Sequence, residues 1–496
     1  MARASGRAGE SHPQSPQASR EAPLRRNSLA NPGPRCCGRG AISSRRMENP
    51  RVLVVTDRLT PDYGWGRYAV GLLRALRDDG CDVRILSPRS LGTEEDLRSH
   101  AHHGTVTSYV RETRRLSRLV ASNVATIARA SRDCDVVHCL VEPYAVPAAI
   151  AGLLVRRPLL VTIHGTYAVR PFRRPGARWW FEFAYRRADR LIAVSNYTRA
   201  RLPARFTGKV RVVPEGVERE AFATVPGAIG HAWRPGADTS PYLLSVGPVK
   251  RRNGYATTLE AFARVRARFP TLEYRIAGGT DDPAFLAELQ SRISYLGLEG
   301  AVHLMGRVAD DELLALYHGC ELFWLLPEDD GEQFHGFGLV YWEANACGKV
   351  VIGARDSGAG DAIAPGTNGL LVDSGDATGA AAAAIGLLGE RDRLMAMGEA
   401  ARTHVRPWRD AARLMRDHYA DVLRSPLPNK SVHPPSSAGR FAPYTAPVAT
   451  GQGLPTQPRP PRRGREEERR HATPRPETEG EERAFGGTTK QARGGS

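Results

Sequence analysis

Apolar and polar positions along this 496-residue chain fall into two successive series of short strands and amphipathic helices. "RVLVVTD" at 51–57 reads as a strand covered on both faces, and Tyr68, Leu72, Leu73 and Leu76 then recur at helical spacing before a second strand at Val83–Leu86. The segment therefore opens as a βαβ unit. "DVVHCL" (135–140), "PLLVTIHG" (158–165) and "DRLIAVS" (189–195) continue the series between helical stretches, and "VRVVPEG" (210–216) closes it. Continuous apolar runs alternating with helices imply parallel strands with helices on both faces.

After a Pro/Gly-rich stretch the pattern restarts with "YLLSVGPV" (242–249), a helix over 254–269, "LEYRIAGG" (272–279), "AVHLMG" (301–306), a helix over 310–320, "ELFWLLP" (321–327) and "KVVIGA" (349–354). The fold class is α/β, two Rossmann-like doubly wound domains in tandem, and such sheets bind ligands in the crevice at their strand C-termini. A last helix, 408–423, puts Leu414, Met415, His418, Tyr419 and Val422 on one side, and the cleft edge is the expected docking place. The expected organisation is a 1–46 extension, an N-terminal domain over 47–225, a linker over 226–240, a C-terminal domain over 241–407, a helix over 408–425 crossing back toward the first domain, and a 426–496 tail.

Composition changes this picture mainly at the ends. The formal net charge is +17, but residues 1–46 hold nine Arg against two Glu, and residues 426–496 hold twelve Lys/Arg against seven Glu, which leaves only +5 for the core. Both ends are rich in Pro, Ser, Gly and Arg without apolar periodicity, so they are expected to be disordered. Residues 1–46 also suit a transit peptide; an upstream extension before Met47 is the reading adopted. Seven scattered Cys without metal-ligand spacing point to a reducing compartment, no structural zinc and a cytoplasmic location. The longest apolar run, Tyr144–Val155, is too short to span a bilayer, so any membrane contact is peripheral.

Several segments carry candidate chemistry. Gly64 and Gly66 sit in a loop that brings backbone N–H groups toward an anion or sugar, though "DRLTPDY" separates them from the strand, unlike a dinucleotide fingerprint. Asp133 and Asp135 run straight into a strand, which argues for local pairing rather than a metal. His164 ends a strand above the crevice, and although a satisfied structural imidazole is the alternative, that location favours a substrate contact. Lys250, Arg251 and Arg252 gather at the mouth of the second sheet and suit a diphosphate. In "FHGFGLVYWEANACG", Gly336, Phe337, Gly338 and Leu339 open a helix whose N-terminus can face phosphate, and Glu343 can accept bonds from vicinal ribose hydroxyls.

These motifs, with "VTIHG", "ADRLIAVSNYT", "VRVVPEGVEREAF" and "GTNGLLVDSGD" in this order across roughly 51–423, resemble family 4 of the glycosyltransferases, retaining enzymes of the GT-B fold. The resemblance implies a nucleoside-diphosphate sugar bound in the second domain, an acceptor of unknown identity in the first, no cofactor and no metal. The donor phosphate would help deprotonate the acceptor. The family's signature of two Glu separated by seven residues is here His335 and Glu343, so His335 takes the position that touches donor-sugar hydroxyls and Glu343 the one that touches ribose. The family's diphosphate-binding Arg and Lys correspond to Pro248 and Asn253, with Lys250, Arg251 and Arg252 as the available substitutes. On this reading His164, His335 and Lys250 are the catalytic candidates.

Two rivals stand beside it. One is a GT-B sugar-nucleotide-binding pseudoenzyme or isomerase. The other is a basic protein binding nucleic acid or an anionic membrane surface through the tails and "VRPFRRPGARWWFEFAYRRADR" (169–190), where aromatics interleave with Arg. For that stretch an amphipathic helix with buried aromatics and solvated Arg is expected, which makes a nucleic-acid partner the weaker case.

Overall fold

Both series of apolar runs become parallel sheets in the computed structural model, which describes residues 49–424 apart from 58, 61–63, 89–104, 111–114 and 224–239. The tails and linker expected at 1–46, 226–240 and 426–496 lie outside the described residues, save Ser240. The first sheet comprises β1 (Arg51–Val55), β2 (Asp82–Pro88), β3 (Thr105–Val110), β4 (Val136–Cys139), β5 (Leu159–Ile163), β6 (Arg190–Ala193) and β7 (Val210–Val212), in the order β3-β2-β1-β4-β5-β6-β7. The second comprises β8 (Tyr242–Val246), β9 (Glu273–Ala277), β10 (Val302–Gly306), β11 (Leu322–Leu325), β12 (Val351–Ala354) and β13 (Gly369–Val372), in the order β10-β9-β8-β11-β12-β13. All neighbouring strands run parallel.

Helices α1 (Gly64–Asp78), α2 (Leu116–Ser131), α3 (Ala145–Leu154), α4 (Pro175–Arg187) and α5 (Asn196–Arg201) belong to the first sheet. Helices α6 (Tyr255–Arg268), α7 (Pro283–Tyr295), α8 (Asp310–Gly319), α9 (Leu339–Ala346), α10 (Ala377–Gly389) and α11 (Arg391–His404) belong to the second, and α12 (Trp408–Arg424) follows. Strand order reverses between β1 and β4 and again between β8 and β11. The crevices opened by these reversals put the loops before α1, after β4, before α6 and before α9 at the ligand-binding edges of their sheets.

Edge strand β3, "TVTSYV", lacks the continuous apolar run that marks central strands, so periodicity passes over it. Helix α12 also differs in detail from its pattern. Its buried side is Trp408, Ala411, Ala412, Met415, Tyr419, Val422 and Leu423, while Leu414 is exposed because it lies about 100° round the helix from Met415. The helix lies along α1 of the first sheet: Trp408 meets the Tyr68 ring edge-on at 5.6 Å and sits over Gly71, where a Cβ would come within 2.2 Å of the indole. Arg416 binds Asp79 at 3.0 Å at the far end of α1.

The same helix reaches the centre of the first sheet through Tyr419, whose hydroxyl lies 2.7 Å from His138 Nδ1; Thr162 Oγ1 lies 2.8 Å from His138 Nε2. Burial pushes the His138 pKa down to about 3, and His164 and His418 add to the shift. The unfolded chain takes up this proton near pH 6.5, so the stability that neutral His138 supports is full above that pH and is lost as pH falls toward 3. Urea unfolding across this range should show a slope of about 1.4 kcal/mol per pH unit from this one proton. His138→Gln should flatten the acid limb by that amount, and an unchanged slope would contradict the assignment.

Candidate active site

The two crevices meet at the carbonyl of Gly336. It accepts hydrogen bonds from Ser195 Oγ at 2.5 Å and Thr198 Oγ1 at 3.2 Å, both from the first domain. Such an approach needs glycine, since a Cβ at 336 would stand 1.8 Å from the carbonyl oxygen of His164. Across the same seam the Asp361 carboxylate accepts the amides of Asn196 and Tyr197 at 3.0 and 3.1 Å, capping α5 from the opposite domain. Thr166 Oγ1 accepts the Phe334 amide at 3.0 Å, and Arg201 and Tyr197 both bind Asp329.

The three consecutive cations after β8 separate. Lys250 Nζ lies 2.9 Å from the exposed Asp281, and the exposed Arg251 pairs with Glu288 at 2.5 Å while stacking over Phe285. Arg252 alone turns into the seam. Its Nη1 lies 3.5 Å from Thr166 Oγ1, its Nε is buried without a partner, and no carboxylate pairs with it among the described residues. Desolvation lowers its pKa, and only Tyr167 acts in the other direction. A guanidinium taken from water without an anion is costly, so the position favours an anionic ligand.

His335 stands beside it. Burial, and then the Arg252 charge, push its pKa down to about 3, so the ring is neutral at physiological pH. Gly338 has φ +94° and begins α9, whose N-terminus has neither a side-chain cap nor an acidic residue in its first turn. By contrast, the Glu328 carboxylate accepts the Thr257 hydroxyl in the first turn of α6. Phe337 is a core residue, edge-on to Trp342 at 4.9 Å.

Glu343 is only 2% exposed and meets two partners. Arg67 Nη1 from α1 donates to Oε1 at 2.8 Å, and the Tyr317 hydroxyl donates to Oε2 at 2.8 Å. The carboxylate raises the Arg67 pKa above its ordinary value against the effect of burial. A cavity of about 580 Å³ adjoins this pair, bordered by Arg67, Val70, Asp310, Leu314, Leu339 and Glu343, a size suited to a small ligand.

His164 forms a wall of the first crevice. Its Nε2–H donates to the Leu140 carbonyl at 2.8 Å, Nδ1 lies 3.9 Å from Glu215 Oε1, and Glu142 accepts its backbone amide at 2.7 Å. Burial alone would lower its pKa, but Glu215 and Glu142 outweigh that and raise it. Burial raises both carboxylates, and His164 acts in the opposite direction on each. Gly66 lies against the Thr60 carbonyl, and Gly64 begins α1 with open space around it.

The geometry thus groups His164, Arg252, His335, Gly336 and Gly338 at the seam, and Glu343 and Leu339 at the adjoining cavity. Lys250 and Arg251 bind carboxylates of their own domain. Sequence reasoning passed over Arg67, Thr166, Ser195, Tyr317 and Asp361. Arg67 directly follows Gly66 in "GWGRYAV", whereas Thr166, Ser195 and Asp361 meet partners over a hundred residues away, and Tyr317 meets one on a different element, which carries no local signal. The five described cysteines, at 81, 134, 139, 320 and 347, are buried and free, and no described group of His, Cys, Asp and Glu has the arrangement to hold a metal ion. No described helix is long and apolar enough to cross a membrane.

Comparison with known proteins agrees with this architecture. The model of Glycosyltransferase Family 4 matches residues 64–221, and that of Glycosyl transferases group 1 matches residues 233–404. A GDP-mannose-dependent alpha-(1-6)-phosphatidylinositol monomannoside mannosyltransferase of Mycolicibacterium smegmatis is 30% identical over 268 residues, covering 52% of this chain and 69% of the relative. The corresponding enzyme for the monoacylated substrate from Corynebacterium glutamicum is 25% identical over 391 residues, covering 76% and 98%. Among solved structures, Anabaena HepE in complex with UDP and glucose superposes with TM-score 0.61 at 19% identity, covering 75% of this chain and 99% of that one. Sucrose-phosphate synthase from Thermosynechococcus elongatus gives 0.59 at 20% identity, with coverage of 75% and 99%. With two doubly wound sheets facing across one cleft and both halves matched in order, this chain belongs to glycosyltransferase family 4 and is a glycosyltransferase of the GT-B fold.

Proposed function

We propose that the chain transfers a sugar, with retention and without a metal ion, from a nucleoside-diphosphate sugar to an acceptor held against the first domain. The observation that carries this reading is Arg252, a cation closed into the seam with no carboxylate among the described residues to neutralise it. A departing diphosphate gains negative charge as its bond to the sugar breaks, and the buried Arg252 with the uncapped N-terminus of α9 meets that charge. The nucleoside end occupies the 580 Å³ cavity, where Glu343 binds ribose hydroxyls once Arg67 releases it. Neutral His335 then serves as a donor and acceptor for sugar hydroxyls in place of a carboxylate.

The relatives named as GDP-mannose-dependent make GDP-mannose the first donor to test, with a phosphatidylinositol-type lipid as the first acceptor class. UDP-glucose is the second donor, since it is bound by a HepE structure of similar fold. One observation favours the alternative of binding without transfer. At the two positions where the resemblance places cations, Asn253 Nδ2 instead donates to the Pro248 carbonyl at 2.7 Å, closing the loop on itself. Product analysis separates the two: turnover to glycosylated acceptor supports transfer, and tight donor binding with no product supports the alternative.

Calorimetric titration with GDP-mannose and UDP-glucose should show Arg252→Ala binding the accepted donor at least about tenfold more weakly, the loss of one charge-assisted contact. Arg251→Ala, which removes an exposed pair with Glu288, should bind it unchanged. Equal effects of the two changes would contradict the assignment, as would loss of turnover in EDTA.

Glu343→Gln should weaken donor binding by about tenfold or more, because it removes the ribose-accepting charge. Arg67→Gln removes the competitor, at a cost to fold stability, and among folded molecules should leave donor affinity equal or higher. Parallel losses in both variants would show that the Arg67–Glu343 pair is needed intact.

A further inference from the structure

Helix α4 has two apolar faces. Phe181, Ala184 and Tyr185 point inward and are buried against the first domain. The opposite face carries Trp179, 78% exposed, Trp180, 49% exposed, and Phe183, 37% exposed. Aromatics expected to be buried are therefore in water, for a geometric reason: 181, 184 and 185 already fill the side that faces the domain, and 179, 180 and 183 fall on the other.

Around this ridge the charge is one-sided. Arg173, Arg174 and Arg178 are exposed, and none has a carboxylate partner among the described residues. They cluster at the N-terminal end of α4, where the helix dipole disfavours cations. Glu182, the one acid of the helix, is bound by Arg186 and Arg205. At the other end Arg187 donates to the carbonyls of Gly152 and Arg157, tying α4 to the end of α3, where Leu153 and Leu154 are exposed beside the exposed Arg156.

We propose that this outer face of α4, with the end of α3, docks the chain on an anionic lipid bilayer. Tryptophan rings settle at the headgroup level, aliphatic side chains enter the acyl boundary, and unpaired arginines meet lipid phosphates. A second copy of the chain is a poor occupant, because a two-fold contact would set the arginines of each copy against those of the other. Single-stranded nucleic acid would use the rings for stacking but has no use for Leu153 and Leu154. The α4 segment follows directly from two short helical turns, Thr166–Val169 and Arg170–Arg173, and Arg170 binds Glu332 at 3.7 Å across the domains. Docking therefore brings headgroups toward the cleft entrance, which suits a lipid acceptor. That consequence rests on the proposed function, whereas docking itself does not.

The test is co-sedimentation of the full chain with phosphatidylcholine vesicles with and without phosphatidylglycerol, combined with quenching of tryptophan emission by brominated lipid. The wild type should bind the anionic vesicles and be quenched. The triple variant Arg173→Gln/Arg174→Gln/Arg178→Gln should lose affinity by about a hundredfold, at roughly fivefold per cation. Trp179→Ala/Trp180→Ala should lose most of the quenching, with unchanged melting temperatures because these side chains are exposed. The basic ends are common to all variants, so vesicle binding and quenching equal to wild type in both would overturn the proposal. It would equally be overturned if the same substitutions abolished RNA binding or self-association while vesicle binding persisted. The outcome does not depend on finding the right donor, so it can fail while the transferase reading stands, and the reverse.

Discussion

The carbonyl of Gly336 is the point through which the two halves of this protein meet. Two hydroxyls of the first domain bond to it, and a missing side chain lets it pass within contact of the β5 end. Asp361 strengthens the seam by capping a helix of the opposite domain. Because the seam closes there, Arg252 is covered by Thr166 and loses water, His335 is held neutral, and Glu343 comes within reach of Arg67. Each of these features would be ordinary solvated chemistry in an open cleft.

Closure also explains how the chain can depart from the motifs of its family and keep a coherent site. A carboxylate at 335 would sit against Arg252 and neutralise it, whereas an imidazole that stays neutral leaves the guanidinium without an anion. Where the resemblance places cations, Asn253 instead donates to the Pro248 carbonyl, and Arg252 is the cation of this loop that turns into the seam. The Arg67–Glu343 pair, deeply buried on the Glu343 side, costs several kcal/mol to break by removing one partner alone. A ligand that replaces Arg67 with hydroxyl donors of its own avoids leaving that charge bare.

Much of the fold was legible because central parallel strands are apolar on both faces, as in "RVLVVTD" and "PLLVTIHG". Edge strand β3 was not, since its residues alternate with polar ones. The glycines at 336 and 338 were legible as a close backbone approach ahead of a helix, and the structure shows that approach at Gly336 and a left-handed Gly338 just before α9. Local sequence could not tell which of Lys250, Arg251 and Arg252 turns inward. That choice depends on Asp281 and Glu288 on the outside and Thr166 on the inside, all distant in sequence. The exposed aromatics of α4 were misread for a related reason: periodicity gives the angle between side chains but not which side of the helix the domain covers.

The central claim is that the closed seam holds a guanidinium waiting for a diphosphate. A crystal structure of the protein soaked with inorganic pyrophosphate tests it most directly. The account predicts pyrophosphate oxygens within hydrogen-bonding distance of Arg252 and of the first amides of α9. Pyrophosphate bound at Lys250 and Arg251 on the outer surface, with Arg252 still resting against Thr166, would contradict it.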